Sequence, residues 1–221
     1  RIDLTSFFDS NAVANDETSQ FLSDALVNNP MLGLSENGAG MAGVYDPKNG
    51  VTLKLGYQQS DSTATNLSDS LFQMVEVGYQ FNPFGTGVGN YRGWYRTNNN
   101  DDGGSLSAYG FSLDQKVSAG ITLFGRYGEA ETLSGDDDEF FSGGVQFSDG
   151  FGFNPSDVWG LGFANTVLGN DDEETLFEGY YTLSLAERLA LSFHLTYVDE
   201  EPDGADDFSY LVPGFRLQAS Y

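Results

Sequence analysis

The feature that most constrains this chain is an alternation of apolar with small or polar residues that recurs along nearly all of its 221 positions. In residues 51–58 every second residue is apolar, and residues 75–81 repeat the pattern. An alternation of period two is typical of a β-strand whose two faces meet different surroundings, whereas an amphipathic helix repeats every 3.6 residues. The chain is therefore predicted to be all-β.

Twelve segments carry this alternation, and most of the complete ones are about ten residues long, the length that a tilted strand needs to cross a bilayer core. The predicted strands cover residues 1–8, 39–46, 50–58, 71–81, 88–97, 105–114, 119–129, 139–148, 157–167, 175–185, 188–198 and 208–221. Their order and spacing predict an antiparallel up-and-down transmembrane β-barrel.

The links between the predicted strands alternate between short and long, and the long links are acidic. They contain 25 of the 33 acidic residues and none of the nine bases. The long links are residues 9–38, 59–70, 97–105, 129–139, 168–174 and 199–207. A meander whose long loops all lie at one end is typical of an outer-membrane barrel. We call the end formed by these long links the acidic rim. The alternative is a soluble acidic β-protein that binds carbohydrate, but its outer face should carry mixed charges, and the polar phases here hold few.

Composition excludes several functions. A formal net charge of -24 argues against nucleic-acid binding, because phosphates repel an acidic surface. With no cysteine and one histidine, the chain lacks thiolate metal sites and the usual nucleophilic triads. We therefore predict no enzyme activity, no catalytic residues, no cofactor and no metal site. Acidic runs at 136–139, 171–174 and 199–207 could bind divalent cations, but none has EF-hand spacing, and solvated loops are the default interpretation.

Several stretches resemble the carbohydrate-selective porins of the OprB type, and most closely the cyanobacterial branch described as iron-uptake or S-layer-homology-associated porins. Residues 8–22 read FDSNAVANDETSQFL, residues 66–85 read NLSDSLFQMVEVGYQFNPFG, and the chain ends in VPGFRLQASY. The resemblance implies an outer-membrane barrel of about 16 or more strands, of which residues 1–221 form a single domain in the C-terminal part. It also implies passive diffusion of small hydrophilic solutes, with sugars, inorganic ions and iron species as the candidates.

The same resemblance implies partners and leaves alternatives open. The expected partners are the lipid bilayer with its lipopolysaccharide, small hydrophilic solutes such as sugars, inorganic ions or iron species, and other copies in a homo-oligomer, for example a trimer. The alternative function is a structural anchor of the outer membrane with little channel activity.

Five bases inside the predicted strands, Lys54, Arg92, Arg96, Arg126 and Arg216, fall on the polar phase, which should face water because a charge facing lipid is costly. Glu76, Asp114, Glu178 and His194 share this phase. We predict that they line the pore and set its selectivity, with the basic strip Arg92, Arg96, Arg126 and Arg216 dominating; alternatively, they pair with carboxylates to brace the wall. The predicted pore-lining residues are Lys54, Glu76, Arg92, Arg96, Asp114, Arg126, Glu178, His194 and Arg216.

Within the long first link, residues 16–28 have apolar residues at helical spacing, with Asn15 or Asp16 as a possible cap and Pro30 as the stop. The pattern predicts a short helix. Two placements are open: the helix folds into the lumen and constricts the pore, or it packs at the rim.

Overall fold

Eleven antiparallel strands form one sheet in the computed structural model, which describes residues 7–33, 39–59, 71–99, 105–133, 136–148 and 154–219. The strands are β1 (Gly40–Tyr45), β2 (Val51–Gln59), β3 (Leu71–Phe81), β4 (Gly89–Asn99), β5 (Ser105–Ser118), β6 (Ile121–Ala130), β7 (Asp138–Phe147), β8 (Val158–Val167), β9 (Glu173–Ala186), β10 (Leu189–Glu201) and β11 (Phe208–Ala219). Each strand pairs with the next along the chain, so the sheet is an up-and-down meander with β1 and β11 at its edges.

The predicted strands are confirmed from the second onwards. The largest difference is at β5, which continues to Ser118 because Gln115 and Lys116 pair with Leu123 and Thr122 of β6 and do not form a turn. Of the first predicted strand, residues 1–6 lie outside the described residues, and Phe7 and Phe8 are not in a strand.

The pairing register sorts every side chain onto one of two faces. Ser112 of β5 is opposite Arg126 of β6, which is opposite Ser142 of β7, and even-numbered residues stay opposite even-numbered ones through the body of the sheet. Directly opposite residues of antiparallel strands point to the same side. We call the side with the even-numbered residues the inner face and the other side the outer face.

Residues 7–33 lie against the inner face, and we call them the inner segment. Its regular structure is one helical turn, α1 (Asp24–Val27), and a 3-10 turn at Pro30–Leu32. The predicted helix over residues 16–28 is thus mostly wrong. The side chains of Asp16 and Gln20 accept hydrogen bonds from nearby backbone amides of residues 15–18, and such local bonds compete with helix formation. Pro30 begins the 3-10 turn and does not simply end a helix.

The hydrophobic core lies between the inner segment and the sheet. Phe21, Leu26 and Val27 of the inner segment are almost completely buried. The Phe21 ring makes an edge contact with Tyr180 of β9 at 4.9 Å and a tilted contact with Phe124 of β6 at 5.6 Å, measured between ring centroids. The inner face is therefore less polar than the sequence pattern predicts, because some of its even-numbered positions are apolar and pack on the segment.

Two glycines of the inner face leave room for the inner segment. A Cβ atom at Gly162 would lie 2.9 Å from the methyl carbons of Leu26, and one at Gly128 would lie 2.7 Å from the Cβ of Met31. Contacts this short would force the neighbouring atoms to move. Glycine within a strand often marks such a close approach.

The outer face carries the apolar alternation, and its side chains are exposed across the sheet. Leu55, Val77, Leu161, Phe193 and Leu217 are each more than half exposed. An exposed apolar surface that extends over most strands of a sheet is far larger than the patches of ordinary soluble proteins. Among the described residues, no helix has the length and apolar character needed to span a membrane.

Candidate functional site

All nine predicted pore-lining residues lie on the inner face, where the inner segment is bound. The pairing register places each of them there: Lys54 is opposite Glu76, Arg92 is opposite Ser112, and Glu178 is opposite Thr196. None of the nine points to the outer face, as expected if charges avoid the apolar side. Most of them bind the backbone of the inner segment directly.

Asp9 is the most buried charged anchor of the inner segment, and it has a left-handed backbone conformation with φ of 50°. Its carboxylate accepts hydrogen bonds from Nε of Arg126 at 2.9 Å and from Nε1 of Trp94 at 3.2 Å. Its backbone amide donates to Oε2 of Glu76 at 2.6 Å. Three strands, β3, β4 and β6, therefore hold one residue of the segment.

Arg126 joins distant parts of the inner segment. Besides Asp9, its guanidinium donates to the backbone carbonyl of Leu26 at 3.0 Å and to the carbonyl of Ala14. The Arg126 side chain is almost completely buried. Because a guanidinium offers five N–H donors in a rigid plane, one arginine can fix several turns of an irregular segment at once.

Glu178 and His194 hold the middle of the inner segment. The two carboxylate oxygens of Glu178 accept the backbone amides of Leu22 and Ser23, each at 2.8 Å. Nδ1 of His194 lies 2.8 Å from Glu178, and its Nε2 lies 2.9 Å from Oγ of Ser192. His194, predicted from the sequence to line the pore, thus supports the carboxylate that binds the segment.

The remaining predicted residues bind other parts of the segment. Lys54 donates to the carbonyl of Phe7 at 2.6 Å, and Arg96 donates to the carbonyl of Met31 at 3.1 and 3.2 Å. Arg216 donates to the carbonyl of Glu17 at 2.6 Å and to that of Gln20. These bonds bring the two ends and the middle of the segment against the sheet.

Asp114 accepts the backbone amide of Ala12 at 3.3 Å and pairs with Arg92 at 3.0 Å. Lys54 likewise pairs with Glu76 at 2.7 Å. The pairing of bases with carboxylates, which the sequence left as an alternative, is therefore present in the structure. Lys54, Glu76 and Asp114 of these pairs also bind the backbone of the inner segment.

The electrostatics of the segment follow from these contacts. Burial raises the pKa of Asp9 above its ordinary value, while the charge of Arg126 opposes that shift. At Asp16, partial burial acts in the same direction, but hydrogen bonds from Ser19 and Thr18 outweigh it and lower the pKa. A buried carboxylate in a low-dielectric environment needs a charged partner. Loss of the contact between Asp9 and Arg126 should therefore weaken the binding of the inner segment to the sheet.

The sequence pattern did not predict that residues of the inner segment form part of this site. Asp9, Asn11 and Asn29 are buried, although the first link was assigned to the acidic rim. Nδ2 of Asn11 donates to the carbonyl of Leu113 at 3.0 Å, and Nδ2 of Asn29 donates to that of Tyr127 at 3.1 Å. Gly128 and Gly162 lie on the polar phase of their strands. These glycines were the sequence feature that could have indicated close packing of another part of the chain on the sheet.

Among the described residues, no group of three or more histidine, aspartate or glutamate side chains is arranged to hold a metal ion. The acidic stretches 136–139, 171–174 and 199–207 all lie at the same end of the sheet, opposite the turns between β5 and β6 and between β9 and β10. The predicted acidic rim is thus confirmed for these three links.

Comparison with solved structures supports the fold. The high-pH structure of Pseudomonas putida OprB superposes with a TM-score of 0.74 over 98% of this chain and 68% of that chain, at 16% sequence identity. The chain has the barrel-type fold of OprB, as the eleven-stranded meander indicates.

In sequence, an uncharacterized protein of Aquifex aeolicus (strain VF5) is 27% identical over 220 residues. The match takes in all of this chain and 62% of that relative, so the chain spans about three fifths of the relative's length. No protein-family model matches the chain. The closer resemblance to the cyanobacterial branch stays a prediction.

Proposed function

We propose that this chain forms the C-terminal part of an outer-membrane porin through which small hydrophilic solutes diffuse passively, without catalysis. The observation that carries this proposal is the division between the two faces. The outer face is apolar and exposed on most strands, whereas the inner face carries every lysine and arginine of the described strands and binds the inner segment. A soluble β-protein would bury its apolar face in a core, and here that face is the exposed one.

The barrel-type fold shared with OprB supports the same proposal. In the resulting picture, lipid covers the outer face, water fills the part of the lumen that the inner segment leaves free, and the acidic rim faces outward. Contacts with lipopolysaccharide and assembly into a trimer belong to the proposal. The candidate solutes are sugars and inorganic ions; iron species rest on the sequence resemblance alone.

The inner segment gives the pore its shape. Because it is bound along β2 to β11, it narrows the lumen, and the inner-face residues of the edge strand β1 stay more open. The placement of the segment supports the constricting alternative over packing at the rim.

Planar-bilayer recording of the purified full-length protein tests the function. We expect stepwise single-channel conductance, and we expect liposomes that contain the protein to swell in solutions of small sugars. An anchor protein would insert into vesicles and give neither signal. Recovery as a monomer in detergent-free buffer would instead support the soluble alternative.

A further inference from the structure

The bases that the sequence assigned to pore selectivity are occupied by contacts within the protein. Lys54, Arg92 and Arg126 each form an ion pair with a carboxylate, at 2.7, 3.0 and 2.9 Å. Arg96 and Arg216 donate to backbone carbonyls of the inner segment. Arg126 is covered almost completely, and Arg96 is only 7% exposed. The charges of Arg92 and Arg126 are therefore offset by carboxylates and Arg96 is covered, so an ion in the lumen meets less of the charge of the basic strip than the sequence pattern predicts.

The exposed charged side chains of the inner segment have the opposite charge. Residues 7–33 contain no lysine or arginine. The side chains of Glu17 and Asp24 are exposed, and Asp24 borders an open groove with Thr196 and Val198 of β10, while Asp9 is buried against the sheet. Asp16 contributes less to the field in the lumen, because it is partly covered and its carboxylate accepts hydrogen bonds from Thr18 and Ser19.

We propose that the inner segment, and not the basic strip on the strands, sets the charge selectivity of the pore, and that Glu17 and Asp24 make it favour cations. The proposal rests on the porin function above. It concerns the field that a moving ion meets at the narrowed part of the lumen, and it requires no ion bound at a fixed site.

Two physical reasons favour these two carboxylates over the many acids of the rim. Fixed charges inside a narrow passage with low-dielectric walls act strongly on a passing ion. Rim carboxylates stand in open solvent, where salt screens them within about 8 Å at physiological ionic strength. A small number of charges on the constricting segment can thus outweigh a larger number at the mouth.

The test uses reversal potentials of the full-length protein in a potassium chloride gradient. We expect the parent protein to favour potassium over chloride, and the double variant E17Q/D24N to lower the permeability ratio by about threefold. Each single variant, E17Q or D24N, should give a smaller shift in the same direction. The matched control D206N/D207N removes two exposed acids of the link between β10 and β11 and should change the ratio much less.

The outcomes separate the two proposals. A parent protein that conducts but prefers chloride, or a conducting double variant with an unchanged ratio, overturns the selectivity inference and leaves the porin function standing. A control that shifts the ratio as far as E17Q/D24N overturns it as well, because the rim would then set selectivity. A correctly inserted parent protein without conductance overturns the porin function and the inference together. Migration on gels before and after boiling confirms that each variant is folded.

Discussion

The outer and inner faces of the sheet are formed by the same strands but make different kinds of contact. On β10, Phe193 and Leu195 of the outer face are 51% and 54% exposed, while Ser192 and His194 of the inner face are almost fully buried beneath the inner segment. The outer face is mostly apolar, and its side-chain contacts join neighbouring strands, as where the Tyr109 hydroxyl donates to Glu129. The inner face is a set of individual hydrogen bonds to one irregular segment. A repeated apolar pattern fits contact with lipid chains, whereas individually placed charged side chains can bind one peptide segment specifically.

Removal of Arg126 should damage the inner face most. R126M leaves the Asp9 carboxylate buried without its ion pair, and breaking such a pair costs about 3–5 kcal/mol. Because the strands pair without it, we expect the inner segment to detach while the sheet stays folded. A single cysteine at Ala14, which is fully buried, should then react with a water-soluble maleimide nearly as fast as a cysteine at the exposed Ala12.

The second variant D9N/R126M serves as the control for that experiment, since it removes the unpaired charge and tolerates the left-handed backbone at residue 9. Protection of the Ala14 cysteine should return in part. Equal protection in the parent and in R126M would show that the ion pair does not hold the segment.

A charge on the outer face should have the next largest effect. Leu161 of β8 and Leu133 of the link between β6 and β7 are both exposed, at 54% and 79%. If lipid covers the first and water the second, L161R should lower the free energy of unfolding in vesicles by about 2–4 kcal/mol, and L133R by about 0–1 kcal/mol. Urea titrations of both variants measure the difference. Similar losses would mean that lipid does not cover β8.

The smallest effect expected is that of one added methyl group. G162A places a carbon 2.9 Å from Leu26 and Phe21 of the inner segment, whereas G125A on the outer face meets no atom closer than 3.8 Å. Overpacking of a filled interior costs about 1–3 kcal/mol. We therefore expect faster hydrogen exchange of the Leu26 amide in G162A than in G125A. Identical exchange would indicate that the segment is not packed closely on β8.

The same contrast explains how much of the molecule could be predicted from its sequence. Strand positions follow from period-two alternation, which is local, so β3 was predicted with both ends correct and β8 within one residue. The inner segment depends on contacts between residues far apart in the chain, such as Asp9 with Arg126. Much of its binding also uses backbone amides and carbonyls, which leave no pattern in the segment's own side chains. The charged residues of the wall were therefore identified, but their partner was not.

The central claim is that the odd-numbered residues of the strands face lipid and the even-numbered ones face the inner segment. Spin labels placed one at a time along β10, from Leu191 to Tyr197, measure this directly through collisions with oxygen, which concentrates in lipid, and with a water-soluble nickel chelate. We expect high oxygen accessibility at positions 191, 193, 195 and 197, and low accessibility to both reagents at 192, 194 and 196. Higher nickel than oxygen accessibility at the odd-numbered positions would contradict the account.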